Sequence, residues 1–268
     1  MLKKYKDHVE ERLQQGIPPL PLNAEQVADL VELLKSPPAG EEEFILDLIK
    51  NRTPAGVDPA AYVKAAFLTA LAKGETSSPL IDKKLATELL GTMLGGYNVE
   101  SLIKLLKDEE VGAIAADGLS KTLLMFNAKH EVIELAAENE NAKRVVESWS
   151  NGEWFTSKSK LPEVIKAIVF RVDGEINTDD FSPAQDAPSR PDIPLHALAM
   201  LKKNMEDPIG TIEKLKESGL PVVFVGDVVG TGSSRKSATN SLLWHIGEDI
   251  PFIPNKSCLL YTSDAADE

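Results

Sequence analysis

The stretch VGDVVGTGSSRKSAT, residues 225–239, gathers the residues of this chain best suited to chemistry. An apolar strand leads into three glycines, and hydroxyl residues follow at the mouth of a helix. Gly226, Gly230 and Gly232 can adopt backbone angles closed to other residues and let a ligand approach the main chain. Ser233, Ser234 and Arg235 then stand where backbone N–H groups and the helix dipole favour an anion. Arginine adds a planar fork that matches a carboxylate or a phosphate. These features predict an anion site; the competing reading is a glycine-rich turn capped by serine. Neither nucleotide pattern fits. A phosphate loop needs Lys-Ser/Thr directly after its last glycine, whereas Ser233-Ser234-Arg235 follows Gly232. A dinucleotide loop needs G-x-G-x-x-G, from which the spacing Gly226, Gly230, Gly232 departs.

Elsewhere the reactive residue types read as structural. His8, His130, His196 and His245 are scattered without metal-ligand spacing and are assigned to the surface or to helix packing, so no metal site is expected. Asp179-Asp180 could be catalytic carboxylates, but capping or loop hydrogen bonds are the favoured reading. Trp149, Trp154 and Phe155 read as packing residues at a domain edge.

The loop is carried by a segment with β character. EVIKAIVFRVDGEI alternates Ile168, Phe170 and Val172 before the turn pair Asp173-Gly174. PVVFVGDVVG is a continuous apolar run of the kind buried on both faces of a sheet. IPLHALAMLKKN and TIEKLKESG predict helices between the two, and SATNSLLWHIG predicts one after the loop. That order describes an α/β domain over residues 160–256. Upstream, residues 1–155 read as about seven short amphipathic helices without a convincing strand. Asn23 is expected to cap AEQVADLVELLK, whose Val27, Leu30, Val31 and Leu34 fall at helical spacing. Asp58-Pro59 is expected to open AAYVKAAFLTALAKG. Such an array predicts stacked helix pairs, a HEAT-like α-solenoid. The polar stretch SNGEWFTSKSKLP separates the two parts. The fold class is therefore α + α/β, multidomain.

With 268 residues the chain is long enough for two cores, and its net charge of −13 argues against nonspecific attraction to nucleic acid. A run of ~18 apolar residues is absent and the first residues lack an apolar signal region, which predicts no membrane span and a cytoplasmic protein. The single cysteine, Cys258, excludes an internal disulfide. It lies in SCLLYTSDAADE, which continues no upstream pattern and matches the translation of a common transposase-type sequencing adapter. Residues 257–268 are therefore expected to be a non-native tail; without Asp264, Asp267 and Glu268 the chain remains clearly acidic.

GTGSSRKSATNS resembles the glycine–serine–serine–arginine loop of aconitases, in the form found in the bacterial B type. GEINTDDFSPA, from Gly174, is similar to the start of that family's swivel domain, and SRPDIPLHALAM, from Ser189, to its second arginine segment. ELLGTMLGGYNV and LLMFNAKHEV resemble the helical-repeat domain that only the B type carries at its N-terminus. The resemblance covers residues 1–256. It implies a hydro-lyase that interconverts citrate and isocitrate through cis-aconitate, and a link to 2-methylisocitrate. It further implies Ser233 as the catalytic base, Ser234 and Arg235 on substrate oxygens, and Arg190 on a carboxylate. A serine can act as a base only where its alkoxide is strongly stabilised, as beside an arginine at a helix N-terminus. The family's [4Fe–4S] cluster is bound by three cysteines in a C-terminal portion that this chain lacks. No cluster is therefore expected on the chain itself, and no activity from it alone. The resemblance also implies a homodimer formed through the helical-repeat domain and mRNA binding in the cluster-free form. The alternative reading is a solenoid protein- or RNA-interaction module with an anion-binding lid.

Sequencing the source DNA across codon 256 tests the tail. Adapter-free reads are expected to continue in frame from Asn255-Lys256 into a glycine-rich segment and several hundred further residues. Reads that reproduce CLLYTSDAADE followed by a stop codon would overturn this reading.

Overall fold

The Asn23 cap is present in the computed structural model, which describes residues 1–122, 125–157 and 163–257. Its side chain accepts the Gln26 N–H and Gln26 returns the bond, opening α2 (Ala24–Lys35) after α1 (Leu2–Gln14). All four expected apolar positions of α2 are buried. Then come α3 (Glu42–Asn51) and α4 (Pro59–Ala72), with Asp58 capping α4 and Pro59 at its first position. After them lie α5 (Lys83–Gly91), α6 (Val99–Leu105), α7 (Gly112–Lys121), α8 (Ala128–Leu135), α9 (Glu140–Ser150) and the short α10 (Glu153–Thr156). Residues 128–150 form two helices and not one, because Asn139 caps α9 through the Ala142 N–H.

In this helical part α4 packs on α2 and α5, α5 on α7, and α7 on α9. Small residues allow the closest approach, since a Cβ on Gly91 would stand 3.0 Å from the Gly118 Cα. Trp149 donates its indole N–H to the Leu119 carbonyl at 3.0 Å, as a packing residue should. Trp154 and Phe155 do not fit that expectation. They are exposed on α10, a four-residue helix with no buried residue, and contact each other with ring centroids 5.7 Å apart.

The chain divides into two units. One holds residues 21–160 with 1–4 and 251–254; the other holds 5–20, 161–250 and the residues from 255. Residues 5–20, placed with the helical segment in the sequence reading, thus group with the α/β part.

The second unit is built on β1 (Ile168–Asn177) and β2 (Val222–Thr231), which pair in parallel from Ile168↔Val222 to Asn177↔Thr231. Parallel strands need a crossover. It runs through α11 (Thr178–Phe181), a 3-10 turn (Ala184–Ser189), α12 (Ile193–Ala197) and α13 (Pro208–Lys216). After β2 come α14 (Lys236–Ile246) and a small antiparallel pair, β3 (Glu248–Asp249) with β4 (Lys256–Ser257). Phe170, Ile176, Phe181, Met200 and Ile212 form the core, with Phe224 edge-on to both Phe170 and Phe181.

Three local expectations change. β1 does not stop at Asp173-Gly174: a register shift lies between Val172 and Glu175, Gly174 takes φ +86°, and its N–H donates to Asp227 Oδ2 at 2.8 Å. β2 is not buried on both faces. Val222 is buried, whereas Val223 and Val225 are 40% and 38% exposed, because among the described residues only the face that carries Val222 and Phe224 meets the core; further along the strand Val228 is 51% exposed. The helix expected over 193–204 lasts only to Ala197, and Leu201 follows at φ +58°. Residues 258–268, including Cys258, lie outside the described residues. Among the described residues no helix is long and apolar enough to cross a membrane.

Lys64 is fully buried in α4, and that burial pushes its pKa down from 10.5 to about 8. Between those values the unfolded chain holds a proton that the folded chain has released, so this residue makes stability rise with pH there. Lys64→Met is expected to raise the thermal midpoint at pH 7. The gain should shrink as the pH is raised from 8 towards 10.5. A gain that does not vary over that range in calorimetry would overturn this assignment.

Candidate functional site

Asn177 ends β1 and caps α11, accepting the N–H groups of Asp179 and Asp180 at 2.8 and 3.0 Å, while Asp180 Oδ2 accepts the Asn177 N–H at 2.8 Å. Asp180 is thus a capping residue, as expected from the sequence. Thr178 donates its hydroxyl to the Ser233 carbonyl at 2.7 Å and ties this helix mouth to the loop after β2.

The three glycines of that loop serve different ends. Gly230 and Gly232 hold φ of +86° and +92°, where a side chain is strained. Gly226 does not have a positive φ; a Cβ there would meet the Val229 Cγ2 at 2.7 Å, so this glycine provides space. Ser233 and Ser234 are exposed, and among the described residues neither hydroxyl is held by another side chain. α14 starts only at Lys236. Arg235 is its N-cap residue and no side chain caps it, so the serine-capped turn is not what forms here. The Ala238 N–H donates to the Arg235 carbonyl at 3.1 Å, which leaves those of Lys236 and Ser237 to face an acceptor from outside.

Arg235 pairs with Asp179 and reaches the Ser182 carbonyl at 3.3 Å. From only eight residues after Ser182, Arg190 donates through Nε to the Ser182 hydroxyl at 3.2 Å and through Nη2 to the same carbonyl at 3.5 Å. The two arginines singled out from the sequence therefore converge on one residue, Ser182, which the sequence reading had not marked. The Ser182 hydroxyl also lies 2.8 Å from His196 Nε2 and 2.7 Å from the Ser237 hydroxyl. On the other side of the imidazole, Nδ1 stands 2.8 Å from the Ser189 hydroxyl and 3.2 Å from the Asp186 carbonyl. Burial, reinforced by the charge of Arg190, holds the His196 pKa below its usual 6.5 despite the opposing Asp186 carbonyl. His196 is thus a packed, hydrogen-bonded histidine; its partners lie as far as 14 residues away and carry no local motif.

A further element escaped the sequence reading. Arg12 of α1 is buried and grips Asp192 with both terminal nitrogens, at 2.5 and 2.8 Å, while its Nε donates to the Pro18 carbonyl. Asp192 in turn caps α12, two residues after Arg190. His8 accepts the Leu20 N–H at 3.0 Å, and His245 contacts the Ala197 carbonyl at 3.1 Å; His130 is exposed. Among the described residues no group of three or more His, Cys, Asp or Glu could hold a metal ion.

Chemically, the arrangement is suited to an anion with more than one carboxylate. Two guanidinium groups, two exposed hydroxyls and an uncapped helix start face one loop at the C-terminal ends of parallel strands. Comparison with known sequences narrows this class. Residues 4–155 match the family described as the aconitate B N-terminal domain, and residues 167–259 match the aconitate hydratase 2 N-terminus. The chain belongs to the aconitate hydratase B family. It is 61% identical over 267 residues to aconitate hydratase B of Pseudomonas aeruginosa, with 96% of this chain covered. The same-named proteins of Synechocystis and Escherichia coli are each 59% identical, again over 96% of this chain. The chain spans about a third of the length of these relatives, 30–31%. The family implies a [4Fe–4S] cluster, which thiolates hold. The described residues contain no cysteine and do not fit that group.

The Arg12–Asp192 pair gives a prediction for the segment that carries Arg190. Removing one partner of a buried pair leaves an uncompensated charge and costs about 3–5 kcal/mol. Arg12→Ala is expected to approach the lower figure in denaturant unfolding of the second unit, because Asp192 keeps some solvent access. Arg144→Ala, which breaks the half-exposed pair with Asp117, should cost less than about 1 kcal/mol. Equal losses in the two variants would contradict the anchoring role.

Proposed function

We propose that this chain supplies the substrate-gripping part of an aconitase-type hydro-lyase acting on citrate, isocitrate and cis-aconitate, and on 2-methylisocitrate. The observation that carries this reading is the convergence of Arg190 and Arg235 on Ser182 beside the exposed Ser233. Arg190 holds one carboxylate of the substrate, and Ser234 and Arg235 hold oxygens of another. Asp179 occupies part of the Arg235 fork, so an entering carboxylate must replace it. That pair is partly open to solvent, and breaking such a pair costs little.

Ser233 is the base. Its alkoxide takes the proton from the carbon next to a substrate carboxylate, and the nearby arginine and helix start stabilise the oxyanion. The protein acts in the cytoplasm. Its helical unit is a HEAT-like solenoid that mediates assembly, and the second unit is the swivel domain that closes over the remaining parts of the enzyme. The cluster ligands are not among the described residues, so the chain by itself does not turn over cis-aconitate.

The test is made in a chain extended to the length of its relatives. Ser233→Ala removes the proton acceptor and leaves the glycine turn, the helix start and both arginines in place. The loss should fall on kcat, by at least the ~10²–10³ typical of a lost oxyanion donor, with KM little changed. Arg190→Lys and Arg235→Lys keep the charge but lose the fork, and should weaken ground-state and transition-state binding together. Near-normal kcat with a raised KM in Ser233→Ala would make the serine a binding residue and move the base elsewhere.

A further inference from the structure

Ser182 is fully buried and has four side-chain or backbone claimants from three segments: Arg190, His196, Ser237 and Arg235. The hydrogen-bond inventory fixes how they are arranged. The Ser189 hydroxyl donates to the Asp186 carbonyl at 2.7 Å, so its oxygen can only accept from His196. The Asp186 carbonyl, 3.2 Å from the same ring nitrogen, can also only accept. Both partners require a proton on Nδ1. In the neutral ring Nε2 is then a bare acceptor, and the Ser182 hydroxyl must donate to it. That leaves the two lone pairs of the Ser182 oxygen for Arg190 Nε–H and the Ser237 hydroxyl. Each donor and acceptor position of the Ser182 hydroxyl is thus used once.

We propose that His196 and Ser182 form a positioning hub for the anion seat: the Nδ1–H imidazole orients the Ser182 hydroxyl, which holds Arg190 while the Ser182 carbonyl receives Arg235. Neither residue touches substrate; both act through the arginines. The inference rests on the anion-seat reading for its functional consequence, but the hub itself is defined by hydrogen bonds within the second unit. A histidine suits this place because it offers a donor on one side and an acceptor on the other, which no alkyl or ammonium side chain can do. The charges around it favour the neutral ring, since Arg190 opposes a second cation at this point and burial does the same.

Nitrogen NMR on the 15N-labelled 268-residue chain decides the hub without any ligand. At neutral pH the His196 ring should show a protonated Nδ1 and a bare Nε2, and the Arg190 Nε–H should be protected from exchange. That protection should be lost in Ser182→Ala and kept in Ser241→Ala, which removes another buried hydroxyl from α14, one bonded only to the Ser237 carbonyl. Citrate titrated calorimetrically should bind Ser182→Ala and His196→Leu roughly tenfold more weakly than the parent, the effect of one lost charge-assisted hydrogen bond. His196→Gln can return an acceptor to the Nε2 position and should recover much of that loss. An Nε2–H tautomer, or an Arg190 signal that does not respond to Ser182→Ala, overturns the hub. So does citrate binding by Ser182→Ala equal to that of a parent that binds it. If the parent takes up no citrate, the anion seat fails, and the tautomer and the Arg190 signal still decide the hub.

Discussion

The parallel pairing of β1 with β2 is the constraint on which the rest of the site depends. Its register runs to Asn177↔Thr231, so both strands deliver their C-terminal ends to the same edge of the unit. Ligand sites in α/β sheets gather at such edges because each strand there turns into a loop whose backbone amides point away from the sheet. Here α11 begins at the end of one strand and the glycine loop at the end of the other. The Thr178–Ser233 hydrogen bond joins the two turns within hydrogen-bonding distance. Arg190 and Arg235, far apart in sequence, meet because each follows one of these turns.

Charge is handled locally. The chain carries a net −13, yet the loop places arginine beside an uncapped helix start. The whole-molecule field repels an anion, and at physiological salt that field fades over about 8 Å, whereas hydrogen-bonded contacts at the loop do not. Asp179 tempers the excess positive charge next to Arg235. A half-exposed carboxylate of this kind is held weakly and can be displaced by another anion.

Much of the secondary structure could be read from the residues because its causes are local. Asn23 and Asp58 cap helices through bonds spanning two or three residues, and the alternation of Ile168, Phe170 and Val172 sets the inward face of β1. The glycine loop with Ser233, Ser234 and Arg235 could be picked out as a candidate anion loop for the same reason, whereas Arg190 was marked only by the family resemblance. What could not be read depends on distant partners. The run Val222–Val229 looks buried on both faces by composition, but exposure is decided by how many layers cover the sheet, and one face has no cover among the described residues. Gly226 looks like a conformational glycine and is a steric one, since Val229 folds back over it. Asp179 was legible as a loop hydrogen-bonder, but not as the partner of a residue 56 positions away.

The N-terminal segment shows the same division at larger scale. Nothing in KKYKDHVEERLQ marks Arg12 as different from its neighbours, and a charged helix of this kind would ordinarily lie in solvent. Burial of one arginine is tolerated only because Asp192, 180 residues later, and the Pro18 carbonyl together occupy its fork. Asp192 is then committed twice, to Arg12 and to the first turn of α12. That double commitment fixes the start of the helix that carries His196, while the 3-10 turn before it delivers Arg190. Arg12 thus bears on the segment that carries Arg190 through the Asp192 carboxylate, and a sequence-local reading has no means to find that link.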